Sequence, residues 1–206
     1  MDIAVTGFAG FEGSRRIYLE AAYRKKLLSR YPENFFTVFS HGAESAYGLR
    51  ADTRDIFVKT DGRGNALCDP EMRREYDRLY RSVNEAELAV DSAEGGVLAA
   101  LWRLLKAKSL GGTYSLTAIP VLQQTIEVCE MFGLNPYRLH SPECRVWLIK
   151  DIAELKSTAA GAGVPLSVIG FTTKGSAIRR TDTYVESSLR RPEADEILKV
   201  FPAGAV

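Results

Sequence analysis

An alternation of strand-type and helix-type segments constrains this chain most. Short apolar runs, "DIAVT" at 2–6, "AELAV" at 86–90, "TYSLTAI" at 113–119, "CRVWLI" at 144–149 and "PLSVIGFTT" at 165–173, are separated by stretches with helical spacing. Residues 12–30 read as a helix, since Ile17, Ala21 and Leu28, with Tyr31 just beyond, recur near helical spacing. "PEMRREYDRLYRSV" places Met72, Tyr76, Leu79 and Val83 on one face, opposite a charged, solvated one. Further helices are expected over 97–108, after Pro120 up to Gly133, over 151–160 and over 193–200. Hairpins are expected in "DIFVKTDGRGNALCD" about its "DGRG" turn, and between "SAIRR" and "TYVES"; "FFTVFS" reads as a short strand. Helices alternating with hairpin-linked strands predict an α+β fold on a mixed, partly antiparallel sheet.

Composition narrows the function. At 206 residues and 46% apolar, the chain buries a sizeable core, which predicts one domain over 1–206 with an insertion at about 40–84. Its 27 basic and 26 acidic residues leave a formal charge of +1, no field for nucleic acid or for an anionic membrane surface. No apolar run approaches the length of a membrane span, and no leader pattern opens the chain, so a cytoplasmic location is expected. Cys68, Cys129 and Cys144 match neither a disulfide framework nor a zinc pattern and read as reduced thiols.

Three stretches carry candidate chemistry. "GFAGFEG" sets Gly7, Gly10 and Gly13 directly after the first strand, where a helix N-terminus offers N–H groups to an anion. The spacing fits neither the dinucleotide fingerprint nor a P-loop, and from spacing alone a tight strand-to-helix turn without ligand is the reading it favours. "VDSAEGG" brings Asp91 and Glu94 beside Gly95 and Gly96 at the start of another helix. That turn suits a phosphate; the carboxylates would either hold Mg²⁺ beside it or simply cap the helix. "HSPEC" gathers His140, Glu143 and Cys144 in a loop before "RVWLI". A Cys–His pair suggests a nucleophile and its base, but no third group orients them, and a thiol next to a buried strand reads as inert. No metal site is assigned.

Taken in order, "DIAVTGFAGFEGS", "DSAEGGVLAALWRLL", "IPVLQQTIEVCEMFGLNPYRL" and "SVIGFTTKG" resemble the C-terminal domain of aminoimidazole ribonucleotide synthase-related (PurM-like) proteins, closest to the hydrogenase-maturation-like group. The resemblance spans most of residues 2–31 and 85–199 and lies in the order of the four motifs. It implies a three-layer α/β/α domain that closes a cleft through the Asp91–Gly96 turn. It also implies that the ATP and Mg²⁺ ligands sit mostly on an N-terminal domain absent from residues 1–206. Departures are local: Val90 stands for the pattern's His and Ala93 for its hydroxyl residue, and "FPAGAV" lacks the cysteine-bearing tail. The resemblance therefore does not extend to carbamoyl or thiocyanate chemistry on this chain. It implies an accessory or ligand-binding domain that takes a phosphorylated small molecule or nucleotide at Asp91, Glu94, Gly95, Gly96, Gly7, Gly10 and Gly13. Catalysis, with ATP and Mg²⁺, would require a partner supplying the other half. The alternative is a non-catalytic interaction domain that forms a homodimer.

Overall fold

The structure is a computed structural model that describes residues 1–40, 59–60, 66–67, 89–92, 94–161, 164–182, 184 and 187–202. The insertion expected at 40–84 and the helix expected over 70–83 lie almost wholly outside these residues. Strands are β1 (Asp2–Thr6), β2 (Lys59–Thr60), β3 (Ala66–Leu67), β4 (Ala89–Ser92), β5 (Gly111–Tyr114), β6 (Ser141–Ile149), β7 (Leu166–Thr173), β8 (Ile178–Arg180) and β9 (Ser187–Ser188). Helices are α1 (Phe11–Leu19), α2 (Ala21–Leu28), α3 (Thr37–Ser40), α4 (Gly96–Ala107), α5 (Gln123–Phe132) and α6 (Ile152–Gly161).

Seven strands form one sheet in the order β4-β6-β1-β7-β5-β8-β9. Every pairing in it is antiparallel except β5 with β8, so the sheet is mixed, as the hairpins predicted. Of the hairpin expected about "DGRG" the described residues show the antiparallel β2–β3 pair, Lys59 opposite Leu67, the turn itself lying outside them; β8 pairs antiparallel with β9, which falls at the end of the expected "TYVES" and one residue beyond.

Period-2 alternation splits β1 and β6 between two cores. Ile3, Val5, Cys144, Val146 and Leu148 face α4, whose Val97, Leu101, Leu104 and Leu105 complete the main cluster. Each leucine so buried stabilises the fold by roughly 1.5–3 kcal/mol. Ala4, Trp147 and Ile149 face the opposite way, under Leu155 of α6, with Trp147 Nε1 donating to Thr6 Oγ1 at 2.9 Å. Helices on both faces give three layers. A second cluster holds α1, α2, α3 and α5 together through Phe11, Tyr18, Phe36, Phe39 and Val128.

Three local expectations are corrected. The helix expected over 12–30 is two helices, because Glu20 is extended (φ −75°, ψ 121°) and turns α2 away from α1. "FFTVFS" is helical: Phe36 and Phe39, three apart, share one face and pack on Tyr18 and Phe11, with ring centroids 5.2 Å apart for Tyr18–Phe36 and 5.6 Å for Phe11–Phe39. Local β-propensity yields there to packing with helical period. The strand expected at "TYSLTAI" starts earlier, at Gly111, and ends at Tyr114.

Candidate functional site

Gly95 and Gly96 close the β4–α4 connection, both in the left-handed region (φ +73° and +65°). A Cβ on Gly96 would stand 2.6 Å from the Tyr137 carbonyl oxygen, so this turn packs directly on the 3-10 turn Pro136–Arg138. The Gly95 N–H donates to Asp195 Oδ2 at 2.7 Å. The other oxygen, Oδ1, accepts from the His140 N–H at 3.1 Å and the Ile197 N–H at 2.9 Å. An internal carboxylate, 8% exposed, thus sits at the positive end of α4, where a helix favours negative charge. Glu94 is exposed, and its carbonyl accepts from both terminal nitrogens of Arg103 at 3.0 Å. Asp91 lies on β4 in register with Arg145. Beside the turn, Gly95, Leu98, Arg138, Arg190 and Glu193 line a shallow crevice, with Arg138 Nη1 2.9 Å from Glu193 Oε2.

The first glycine turn is stitched into three other segments. The Gly7 N–H donates to the Pro165 carbonyl (3.0 Å) and that of Ala9 to the Pro120 carbonyl (2.9 Å). Gly10 N–H donates to Ser141 Oγ (2.6 Å) and Gly13 N–H to the His140 carbonyl (2.9 Å). These four amides are engaged inside the protein. Both turns therefore meet at His140 and Ser141: the His140 carbonyl holds Gly13 and its N–H holds Asp195, which holds Gly95. Glycines far apart in sequence converge on one edge of the domain.

"HSPEC" is not a loop, since β6 already begins at Ser141. Alternation along it sends Cys144 into the α4 core, fully buried, and Glu143 to the other side, a setting that suits an inert thiol and not a nucleophile. Neither Cys129 nor Cys144 is in a disulfide. Burial pushes the Cys129 thiol up to about 12, far from a reactive thiolate. Glu12 is held near Arg15, Oε1 to Nη1 3.1 Å, yet burial outweighs that pull and raises its pKa. Glu143 is raised well above the ordinary carboxylate value, by burial first and by the charge of Glu12 second. Among the described residues no three His, Cys, Asp or Glu side chains converge as a metal site.

The sequence pattern does not point to Asp195. "PEADEI" does carry a cap signal, an Asp directly before the 3-10 turn Glu196–Lys199, but its bonds to Gly95 and His140 are long-range and leave no local trace.

A mixed sheet with α4 on one face, α6 on the other and a glycine turn opening α4 is a fold shared with about half the length of solved hydrogenase-maturation protein structures. E. coli HypE matches with TM-score 0.60 and 19% identity, over 97% of this chain and 52% of that one. HypE in complex with ATP matches with TM-score 0.55 and 15% identity, over 96% and 52%. AaThiL complexed with AMPPCP and TMP matches with TM-score 0.51 and 15% identity, over 91% and 50%. The chain spans about half the length of these solved structures. No protein-family model matches the sequence, and no curated protein matches it. Among the described residues no helix is long and apolar enough to cross a membrane.

Proposed function

We propose that this chain is the cleft-closing half of an ATP-utilising PurM-like protein, one domain carrying an insertion at about 40–84. In this reading it binds a phosphorylated or nucleotide ligand at the Asp91–Gly96 turn and depends on a partner, domain or chain, for any catalysis. The observation that carries it is Asp195: its carboxylate rests on the Gly95 and His140 amides, so this place at the α4 N-terminus accepts an anion. Arg138 and Arg190 line the crevice against the single carboxylate of Glu193, which leaves it net positive. The residues suit the anionic end of such a ligand and not its metal, because no carboxylate set converges among the described residues there; Mg²⁺ would arrive with the ligand on the partner half. Gly7, Gly10 and Gly13 would contribute by holding His140 and Ser141 in place. One fold neighbour is HypE in complex with ATP and another is a HypE–HypF complex, which supports both a nucleotide and a partner for this architecture.

Calorimetric titration with ATP, ADP and inorganic phosphate, with and without Mg²⁺, tests the reading. Saturable binding is expected, weakened about tenfold or more by R138E with R190E, the loss of two favourable charges near a phosphate. Absence of saturable binding to the wild type, or indifference to the charge reversals, rejects it.

A second reading, an interaction domain that self-associates, is favoured by a different observation. On the sheet face beyond α6, Phe171 is 55% and Val168 40% exposed. Sedimentation is expected to find a dimer at micromolar concentration that F171D dissociates; a strict monomer removes this reading.

A further inference from the structure

We infer that Glu143, buried near Glu12 where the start of β6 meets α1, keeps its proton in the folded protein, and that this joint loosens when the proton leaves. The joint is independent of the ligand proposed above. Glu143 is 9% exposed, and among the described residues neither of its carboxyl oxygens has a hydrogen-bond partner. An ionised carboxylate in that position would lose its hydration with no hydrogen bond among the described residues to offset the loss. Burial first and the Glu12 charge second push against ionisation, and the backbone amides of Glu12 and Glu143 offset them only in part. Glu143 is thus short of one positive partner.

That partner is either a proton or a cation, and the surroundings decide. Glu12 lies in the first turn of α1, whose N-terminus is the positive end of the helix. Arg15 bonds Glu12 Oε1 and also donates from Nε to the Phe39 carbonyl at 3.1 Å, which fixes the guanidinium beside Glu12. Arg16 from the same helix and His140 from the turn before β6 also favour the Glu12 anion. On β6 itself Arg145 follows, across from Asp91 of β4. A metal cation would meet an arginine and a helix dipole that both repel it, whereas a single proton neutralises one carboxyl and leaves the other as the partner of Arg15.

The sign of the effect follows from linkage. A carboxyl that binds its proton more tightly when folded makes stability fall as pH rises above its unfolded value, until the folded group has also lost its proton. Urea unfolding of wild type, E143Q and E12Q between about pH 5 and about pH 8, with carboxyl-carbon NMR of the glutamates, tests this. Across that range the wild type is expected to lose stability against E143Q by more than about tenfold in the unfolding constant. The Glu143 resonance should titrate well above the ordinary value of 4.5 and move down in E12Q. Parallel wild-type and E143Q profiles, or a Glu143 midpoint near the ordinary value, overturn the inference. So does stabilisation by Mg²⁺ or Mn²⁺ that E143Q abolishes, because a metal would then be the occupant. Should E143Q fail to fold, the wild-type midpoint and its displacement in E12Q still decide.

Discussion

Substituting Gly170 by alanine is expected to cost about 4 kcal/mol or more, enough to leave a marginally stable domain largely unfolded. Gly170 lies in β7, between Tyr114 of β5 and Ile3 of β1, beside the point where the β1–β7 register shifts. A Cβ there would overlap the Thr113 carbonyl oxygen and stand 2.7 Å from the Thr113 carbonyl carbon and 2.9 Å from the Tyr114 Cα. All three are backbone atoms, so no rotamer change relieves the contact. β5 would have to leave β7, and β5 also carries the β8–β9 edge of the sheet. Overpacking usually costs about 1–3 kcal/mol because side chains give way, and a collision with a paired strand falls beyond that range. F171A, next in the strand but half-exposed, should lie within about 1 kcal/mol of wild type. Urea denaturation followed by circular dichroism compares them. If G170A unfolds within about 1 kcal/mol of F171A, β5 and β7 do not approach as closely as described.

Gly170 also marks where sequence reasoning stops. "PLSVIGFTT" announces a strand through its β-branched residues, but nothing in it states that position 170 must lack a side chain, since the neighbour that forbids one comes from 113–114. The same division runs through the fold. β1, β6, β7, α4 and α5 were legible because their apolar period is set by one flat or one helical partner, and the Gly133 cap ends α5 where expected (φ +66°). The break at Glu20 and the helical turn of α3 were not legible. Both are imposed by the aromatic cluster of Tyr18, Phe36 and Phe39, whose members must share one face to pack.

For the site, "DSAEGG" correctly marks a strand-to-helix turn and "GFAGFEG" another. That the two meet at His140 and Ser141 depends on the antiparallel pairing of β6 with both β1 and β4, a topological fact with no local signature. "HSPEC" misleads for a related reason. Its proline and polar residues look like a loop, yet Ser141 is buried and its hydroxyl both accepts from the Gly10 N–H and donates to the Leu139 carbonyl, so the strand begins there. A polar residue at a strand start is then a buried hydrogen-bonding joint. Glu143 becomes a carboxyl of unusual affinity for its proton only because that joint brings it against α1.

Asp195→Ala is expected to remove about 3 kcal/mol, since three backbone N–H groups, on Gly95, His140 and Ile197, lose a charged acceptor in a largely buried setting. The three donors belong to α4, the start of β6 and the final 3-10 turn, so the carboxylate ties the C-terminal segment to both glycine turns at once. Asp195→Asn should retain part of the effect: an amide oxygen in the Oδ1 position still accepts from His140 and Ile197, while the amide nitrogen turned toward Gly95 is a second donor facing a donor. Hydrogen exchange resolves the roles. In the alanine variant the Gly95 and His140 amides should lose protection together with Ile197; if only Ile197 changes, Asp195 is no more than the cap of its own short turn. The same variant bears on the ligand, because a phosphate seated at Gly95 competes with this carboxylate for one N–H. Any anion that binds the wild type there should bind the folded alanine variant at least as tightly, and weaker binding would move the ligand away from Gly95.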